Sequence, residues 1–247
     1  MPSQLATYKK LKNGIEGFFP DESAALWDAL LEFQETKRIR GNMIEIGVWK
    51  GLSALLSSLH LDKNEQFVLV DLNDSGKATL YPVLGKRMRF IKKYSFQLED
   101  SDLTGLRNGC RWLHIDGDHT ASSVTTDLNA CEPLLSQEGI LVIDDFFSPR
   151  YPQLTEAVYA FLASNRYKLS LFLCGWNKAY FARPLFARVY RAMVRESLAE
   201  ALHGRGIHAF QITKTAPLDE CGAFGITDRF VDRDYYGMDD SPDELPL

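Results

Sequence analysis

Apolar residues along the chain follow two kinds of pattern. Five short apolar runs, bounded by glycine or polar residues, predict strands that are buried on both faces of a sheet. They are MIEI (43–46), QFVLVD (66–71), RFIKKYS (89–95), RWLHID (111–116) and GILVID (139–144). Because longer amphipathic segments separate these runs, strand and helix alternate, and a parallel sheet covered on both faces is expected.

The amphipathic segments predict the helices. The first begins at Asp21, which can cap it, and Gly41 is expected to close it. Its apolar positions, at helical spacing, are Leu26, Ala29, Leu30 and Phe33. Further helices are expected at about 52–60, around 80–86, over 123–135 with a stop near Gly139, over 155–164, and from Pro184 over 185–202.

The remaining apolar segments lie after the fifth run. KLSLFLCG (168–175) and NKAYFARP (177–184) flank a Gly-Trp turn and predict an antiparallel hairpin, and HAFQITK (208–214) is a further candidate strand. The acidic, proline-rich end DDSPDELPL is expected to fray. The expected fold class is α/β: a Rossmann-like, doubly wound, mostly parallel sheet with an antiparallel terminal hairpin strand. An N-terminal helical segment (1–40) precedes the sheet domain (41–183), and a C-terminal helix with an irregular extension (184–247) follows it.

Composition narrows the class of partner. The formal net charge is −5 and no basic cluster is uninterrupted, which argues against a nucleic acid partner. No segment approaches the roughly 18 apolar residues of a membrane span, and the N-terminus lacks an apolar signal core. The four cysteines show no CxxC spacing, which is typical of reduced core thiols. A cytoplasmic protein without a membrane partner is expected, and homo-oligomerisation is left open.

Polar residues follow nearly every predicted strand. In doubly wound sheets ligands bind outside the carboxyl ends of the strands, so these residues are expected to share one site. Glu45 lies near the end of the first strand, and Gly47 and Gly51 allow a tight turn and a helix N-terminus that can hold a carboxylate beside Ser53. The alternative is that the glycines serve only the backbone conformation of a strand–helix turn and bind no ligand.

Asp71 ends the second strand, and Ser95 follows the third. A carboxylate at the position of Asp71 can accept hydrogen bonds from both hydroxyls of a ribose, although it could also cap the next helix. Together with the glycine loop it favours an adenosine-type ligand. The third glycine of a dinucleotide fingerprint is missing, which argues against NAD.

Asp116 ends the fourth strand, and Asp144 and Asp145 end the fifth. Three converging carboxylates repel one another, and a divalent cation removes that cost; oxygen ligands suit Mg²⁺ or Mn²⁺. The alternative is that the pair caps a loop while Asp116 contacts only the cofactor. Asp118 and His119 come next, and either could take a proton from a substrate hydroxyl. A capping or ring-contact role is the alternative for His119.

Four motifs carry a resemblance to a known family: EIGVWKGLSA (45–54), VDLND (70–74), HIDGDH (114–119) and GILVIDDF (139–146). Over roughly residues 40–183 the chain resembles class I S-adenosylmethionine-dependent methyltransferases. HIDGDH followed by LVIDDF is similar to the metal-dependent O-methyltransferases of the macrocin and sugar-tailoring kind, and more distantly to catechol O-methyltransferase. The resemblance implies S-adenosylmethionine contacts from Glu45, Gly47, Gly51, Ser53, Asp71, Leu72, Ser95 and Asp116, and Mg²⁺ on Asp116, Asp144 and Asp145.

The resemblance also implies an activity: Mg²⁺-assisted methyl transfer to a hydroxyl of a small molecule, such as a sugar diol or a catechol in natural product biosynthesis. The base is Asp118 or His119, and His119 is favoured because a neutral imidazole conflicts less with a cation than a fourth carboxylate does. The alternatives are a metal-independent methyltransferase, a hydroxylase-like relative, and a non-catalytic cofactor-sensing or scaffold protein.

Overall fold

The computed structural model describes residues 3–165, 168–214 and 222–228. Within them a nine-stranded sheet has the order β3-β2-β1-β4-β5-β7-β6-β9-β8. The strands are β1 (Asn42–Ile46), β2 (Phe67–Val70), β3 (Met88–Ile91), β4 (Cys110–Ile115), β5 (Leu135–Ile143), β6 (Ser170–Gly175), β7 (Lys178–Ala182), β8 (Phe210–Thr213) and β9 (Phe224–Asp228).

The first five strands are parallel to one another, and β7 pairs antiparallel with both β5 and β6. The strand order reverses between β1 and β4, which places a crevice above the carboxyl ends of these two strands. The predicted doubly wound α/β fold with its terminal hairpin is confirmed.

Helices cover both faces of the sheet. They are α1 (Leu5–Leu11), α2 (Asp21–Thr36), α3 (Leu52–Leu59), α4 (Ser75–Leu84), α5 (Ala121–Cys131), α6 (Pro152–Ser164), α7 (Pro184–Met193) and α8 (Ala199–His203), and a π-helical turn (Val194–Leu198) joins the last two. Trp27 of α2 and Met43 of β1 belong to one apolar core, whereas Ile44 of β1 and Leu128 of α5 belong to the other. Neighbouring residues of β1 point to opposite faces of the sheet, so this strand contributes side chains to both cores.

The predicted end of the first long helix is wrong. Helix α2 ends at Thr36, and Arg38 then turns the chain with a left-handed φ of 59°. Gly41 stands just before β1, where an added Cβ would lie 2.6 Å from the carbonyl oxygen of Gly109. It therefore permits a close backbone approach and does not close the helix. Asp21 lies in the first turn, and Pro20 occupies the N-cap position.

Two further helix boundaries differ from the prediction. The helix expected around 80–86 spans Ser75–Leu84, because Gly85 (φ 53°) ends it. The helix expected over 123–135 ends at Cys131, since a short 3-10 turn containing Pro133 follows and leads into β5. Gly139 consequently lies inside β5, where an added Cβ would be 2.7 Å from the carbonyl oxygen of Cys110.

The C-terminal extension contributes to the same sheet. The candidate strand in HAFQITK is confirmed as β8, which pairs antiparallel with β9, and β9 runs parallel to β6. Strand β9 was not predicted, because its run is short and interrupted by Gly225. Cys110, Cys131 and Cys174 are free thiols as expected, whereas Cys221 and the acidic tail lie outside the described residues. Among the helices described, none is both long and apolar enough to cross a membrane.

Candidate functional site

A cavity of about 420 Å³ opens at the carboxyl ends of β1, β2 and β4. Most predicted cofactor contacts line it, namely Gly47, Ser53, Asp71, Leu72, Ser95 and Asp116. Glu45 and Gly51 are buried behind this wall. The segment Gly17–Phe19, which precedes α2, also lines the cavity, and so do Trp49 and the run Lys93–Phe96. The carboxyl-edge pocket expected from the strand pattern is therefore present.

The loop between β1 and α3 depends on its two glycines. Gly47 has a left-handed φ of 82°, and an added Cβ would lie 1.9 Å from the carbonyl oxygen of Asp116. Gly51 (φ 82°) is the N-cap of α3 and so opens this helix toward the cavity. Any side chain at Gly47 would push the ends of β1 and β4 apart, which explains why this turn requires glycine.

Asp71 braces the glycine loop. Its Oδ2 accepts hydrogen bonds from the backbone N–H groups of Val48 (2.8 Å) and Trp49 (2.7 Å), and its Oδ1 accepts from Asn73 N–H (2.7 Å). The alternative in which it caps the next helix is wrong, because Asp74 occupies the N-cap position of α4. Each carboxylate oxygen has further acceptor capacity, so Asp71 can brace the loop and still face a ligand.

A buried layer of polar side chains lies beneath the cavity. Ser53 Oγ donates to Glu45 Oε1 (2.7 Å), and His114 Nδ1 lies 3.4 Å from Glu45 Oε2. His114 Nε2 lies 3.5 Å from Asp144 Oδ2, on the far side of the ring. Burial alone would lower the pKa of His114, but Glu45 and Asp144 outweigh it and raise the pKa to about 9. The imidazolium thus supplies positive charge between two buried carboxylates.

Asp144 has a second cationic partner. Lys178 of β7 is 2 % exposed, and its ammonium donates to Asp144 Oδ2. Asp144 Oδ1 accepts from the N–H of Asp145 (2.8 Å). Burial would raise the pKa of Asp144, but Lys178 and His114 hold it well below its usual range. The charge of this carboxylate is therefore compensated by the protein itself.

Asp116 belongs to two groups of potential metal ligands. The inner group consists of His114, Asp116 and Asp144, and the outer group of Asp116, His119 and Asp145; within each, the ligand atoms all lie within 4.8 Å of one another. In the described part of the chain, the three predicted acids do not form a single group of this kind. Burial and repulsion from Asp144 raise the pKa of Asp116 to about 6, although His119 and His114 oppose them.

His119 belongs to the outer group and is close to both of its carboxylates. Its Nε2 lies 2.8 Å from Asp145 Oδ2 and 3.5 Å from Asp116 Oδ1, and its ring stacks on Tyr151 with centroids 4.1 Å apart. The neighbouring carboxylate of Asp116 raises the pKa of His119, against the effect of burial, and Asp145 adds to the rise. Asn177 donates to the other oxygen of Asp145, whose backbone is left-handed (φ 53°).

Asp118 lines the cavity but does not belong to the outer group. Its Oδ2 accepts from the hydroxyls of Thr120 and Ser123, each at 3.0 Å, and these residues form the N-terminal turn of α5. This position stabilises the start of the helix. Of the two candidate bases, His119 is the one that lies among the acids.

Sequence patterns missed several residues of this region. His114 belongs to the motif HIDGDH, but as part of an apolar strand it resembled a core residue. Lys178 and Asn177 come from the β6–β7 hairpin, and no local pattern marks them as partners of the acids that follow β5. Phe18 stacks on Trp49 with ring centroids 5.6 Å apart, and neither ring lies in a pattern that predicts a cavity wall.

Comparison with known proteins finds one similar domain family. A family model described as a methyltransferase domain matches residues 44–146, which contain the glycine loop, Asp71 and all the strand-end acids. This segment, which spans less than half of the chain, is therefore similar to a methyltransferase domain. A search of curated proteins found no match to this chain.

Solved structures of methyltransferases share the fold of this chain. The O-methyltransferase NovP superposes with a TM-score of 0.54 at 18% identity, covering 65% of this chain and 80% of NovP. CalS11, a TDP-rhamnose 3′-O-methyltransferase of calicheamicin biosynthesis, gives 0.53 at 15% identity, covering 74% of this chain and 95% of CalS11. MycE, solved with Mg, SAH and mycinamycin VI, gives 0.52 at 17% identity, covering 74% of this chain and 53% of MycE. At these identities the likeness establishes the fold of the chain.

Proposed function

We propose that the protein is an S-adenosylmethionine-dependent O-methyltransferase that acts on a hydroxyl of a small, oxygen-rich molecule. The observation that carries this proposal is the continuity of the cavity with the acids: Asp116 lines the cavity and also belongs to the group of His119 and Asp145. A cofactor in the cavity would therefore end beside a base and an array of oxygen ligands. CalS11 is named as a TDP-rhamnose 3′-O-methyltransferase, and MycE was solved with Mg, SAH and mycinamycin VI.

The residues of the cavity suit the parts of this cofactor. Asp71 offers acceptor positions for ribose hydroxyls, and the N-terminus of α3 with Ser53 offers donors for the methionine carboxylate. When bound, S-adenosylmethionine would supply an electrophilic methyl group. The protein's own contribution is orientation, because holding the acceptor oxygen in line with this methyl group lowers the barrier.

His119 is proposed as the general base. Asp145 Oδ2 lies 2.8 Å from Nε2 without hydrogen-bond geometry, so the charge of Asp145 and the stacked ring of Tyr151 hold the imidazole, and we assign Nδ1 to the proton of the acceptor hydroxyl. The tautomer with its N–H toward Asp145 leaves a lone pair on Nδ1. A base oriented in this way needs no further rearrangement when the acceptor enters.

The outer group fits a divalent cation. Asp116 and Asp145 provide the oxygen ligands that Mg²⁺ or Mn²⁺ prefers, and no lysine bonds to either carboxylate among the described contacts. We propose that these two residues hold the ion. Asp144, the third predicted ligand, would join them only when its ion pair with Lys178 is broken. A bound cation would lower the pKa of a coordinated acceptor hydroxyl.

Lys178 favours a second candidate function, metal-independent methyl transfer on the same fold. Its ammonium is bonded to Asp144, and His114 lies on the same carboxylate, so the protein already supplies two cations to the inner group. Manganese binding, followed by electron paramagnetic resonance, separates the two functions. The metal-assisted proposal expects binding by the wild type and a large loss in Asp116→Asn and Asp145→Asn. Absence of binding by the wild type would favour the metal-independent function.

Calorimetry with S-adenosylhomocysteine tests the cofactor. We expect the wild type to bind, and Asp71→Ala to bind about tenfold to a hundredfold more weakly, since a charge-assisted hydrogen bond contributes about 1.5–3 kcal/mol. Asp74→Ala is the matched control, because this carboxylate lies three residues further on and is ion-paired with Lys92 (3.3 Å) outside the cavity. A wild type that binds no S-adenosylhomocysteine would overturn the proposed function.

A further inference from the structure

The tip of the β6–β7 hairpin meets the loop that follows β5. Gly175 pairs with Lys178 across the two strands, so Trp176 and Asn177 form a two-residue turn. Both have a left-handed backbone, with φ of 47° and 69°, and so does Asp145 (φ 53°), which Asn177 contacts. A bulky residue such as tryptophan adopts this conformation at a cost, and backbone of this kind concentrates at functional sites. Three left-handed residues therefore meet beside the outer group.

The surrounding structure holds this turn without help from the Asn177 side chain. Trp176 Nε1 donates to Asp228 Oδ1 of β9 (3.1 Å), and the carbonyl oxygen of Asn177 accepts from the N–H of Phe146 (3.0 Å). The turn is thus tied to a neighbouring strand and to the loop after β5 by a tryptophan ring and by backbone. In the described part of the chain, the carboxamide of Asn177 bonds to Asp145 alone. The side chain of Asn177 therefore serves Asp145 and not the turn.

Two adjacent hairpin residues treat two adjacent acids differently. Lys178 places an ammonium on Asp144 and so compensates its charge. Asn177 donates a neutral N–H to Asp145 Oδ1, which fixes this carboxylate but adds no charge to it. The other oxygen, Oδ2, lies 2.8 Å from His119 Nε2. Among the ion pairs of the described residues, no lysine or arginine reaches Asp145, so its charge stays available to the outer group.

We propose that Asn177 is a positioning residue for Asp145. By holding Oδ1, it keeps the carboxylate turned so that Oδ2 faces the outer group, where the divalent cation would bind. A carboxylate that is already oriented loses less freedom on binding a cation, and the partners that orient metal ligands typically change metal affinity about tenfold to a hundredfold. The inference rests on the proposed metal-assisted function and gives the β6–β7 hairpin a part in it.

The test separates this role from a role in the turn. Asn177→Gly removes the carboxamide but leaves a residue that adopts a left-handed backbone freely, so the turn is kept. Asn108→Gly is the matched control, because Asn108 is also left-handed (φ 53°) and exposed, and it belongs neither to the cavity wall nor to the outer group. For each protein, Mn²⁺ affinity is measured by electron paramagnetic resonance, S-adenosylhomocysteine affinity by calorimetry, and the melting temperature by thermal denaturation.

A positioning role has a signature that a structural role lacks. We expect Asn177→Gly to bind Mn²⁺ about tenfold to a hundredfold more weakly than the wild type and to melt within about 4 °C of it. Its affinity for S-adenosylhomocysteine should be unchanged, because neither Asn177 nor Asp145 lines the cavity. Asn108→Gly should match the wild type in both affinities. A residue that only shaped the turn would instead lower the melting temperature and leave the Mn²⁺ affinity unchanged.

Other outcomes contradict the inference. A folded Asn177→Gly with the wild-type affinity for Mn²⁺ would overturn it. If that variant does not fold, Asn177→Asp takes its place, because aspartate keeps the size of asparagine and tolerates a left-handed backbone but sets a carboxylate against Asp145. An Mn²⁺ affinity of Asn177→Asp at or above the wild-type value would then overturn the inference. A wild type that binds no Mn²⁺ would overturn the metal-assisted function itself, so the two failures are distinguishable.

Discussion

Two buried histidines of this protein each stand between two carboxylates, and their geometries differ. His60 Nδ1 lies 2.9 Å from Glu35 Oε1, and His60 Nε2 lies 3.0 Å from Asp28 Oδ1. The corresponding distances around His114 are 3.4 Å and 3.5 Å, and neither of its ring nitrogens meets hydrogen-bond geometry with a described residue. The first histidine is fully bonded, and the second is held only by charge.

The surroundings of the two histidines explain the difference. Asp28 also accepts hydrogen bonds from Ser3 Oγ (2.6 Å), the N–H of Gln4 (2.7 Å) and Arg205 Nε (2.6 Å). This His60 cluster (Asp28, Glu35, His60 and Arg205) ties α2 and α3 to the N-terminus and to the end of α8. It has no residue in the cavity wall.

The His114 cluster (Glu45, His114, Asp144 and Lys178) does reach the cavity, through Asp144 and through Ser53 on Glu45. A satisfied network stabilises one arrangement, whereas a network with unmade hydrogen bonds can rearrange when a ligand adds charge. We therefore expect changes in the His60 cluster to alter stability, and changes at the cavity edge to alter binding and turnover.

His119→Ala should have the largest effect on turnover. Removing a general base costs about a hundredfold to ten-thousandfold in kcat, while the cavity wall is unchanged and the affinity for S-adenosylhomocysteine should stay within about threefold. The measurement is transfer of labelled methyl to a hydroxyl acceptor, with calorimetry alongside. Normal turnover in this variant would remove His119 from the mechanism.

His60→Leu should have the largest effect on stability. It leaves Asp28 and Glu35 buried without their shared imidazolium, and breaking a buried ion pair costs about 3–5 kcal/mol of unfolding free energy. Urea denaturation measures this loss. His203→Leu, at an exposed position, is the control and should stay within about 0.5 kcal/mol. If His60→Leu instead impaired ligand binding at wild-type stability, the division between the two clusters would be wrong.

The two histidines also predict how stability depends on pH. Burial lowers the pKa of His60, but the bonds to Asp28 and Glu35 outweigh it, and the folded-state pKa is raised. The stabilisation is complete below the unfolded pKa of about 6.5 and is lost as the pH rises through the folded pKa. His114, with its pKa raised to about 9, contributes with the same sign.

The unfolding free energy of the wild type should therefore fall from about pH 6.5 to beyond pH 9. His60→Leu should show a shallower decline over this range, because the contribution of His60 is then missing. Urea denaturation at a series of pH values checks it. An identical decline in the wild type and in His60→Leu would refute the role assigned to His60.

Asp118→Asn should have the smallest effect. Its carboxylate accepts from Thr120 and Ser123 at the start of α5, so its loss resembles the loss of a helix cap and should cost about 0.5–2 kcal/mol. Turnover should stay within about threefold of the wild type, far from the loss expected for a base. Abolished turnover with normal stability would make Asp118 the base in place of His119.

Much of the fold was determined by the sequence pattern alone. Five apolar runs, four of them ending in a polar residue, predicted five parallel strands and one shared edge, because side chains at the carboxyl ends of parallel strands must meet there. Gly47 and Asp71 were also predictable, because the backbone requirement of Gly47 and the charge of Asp71 can be read from the residues around them. Helix ends such as Gly41 and Gly139 were mispredicted, since glycine also serves close backbone contacts that no local pattern reveals.

Only the tertiary structure determined which of the acids are paired with cations of the protein. The antiparallel register of β5 and β7 pairs Ile143 with Ala179 and so brings Lys178 beside Asp144, a residue 34 positions away. Likewise, His114 gains its charge from Glu45 on the neighbouring strand, to which it is paired in register. Three acids in sequence predict repulsion, but which of them is neutralised depends on cations that arrive from other strands, and sequence spacing does not encode that register.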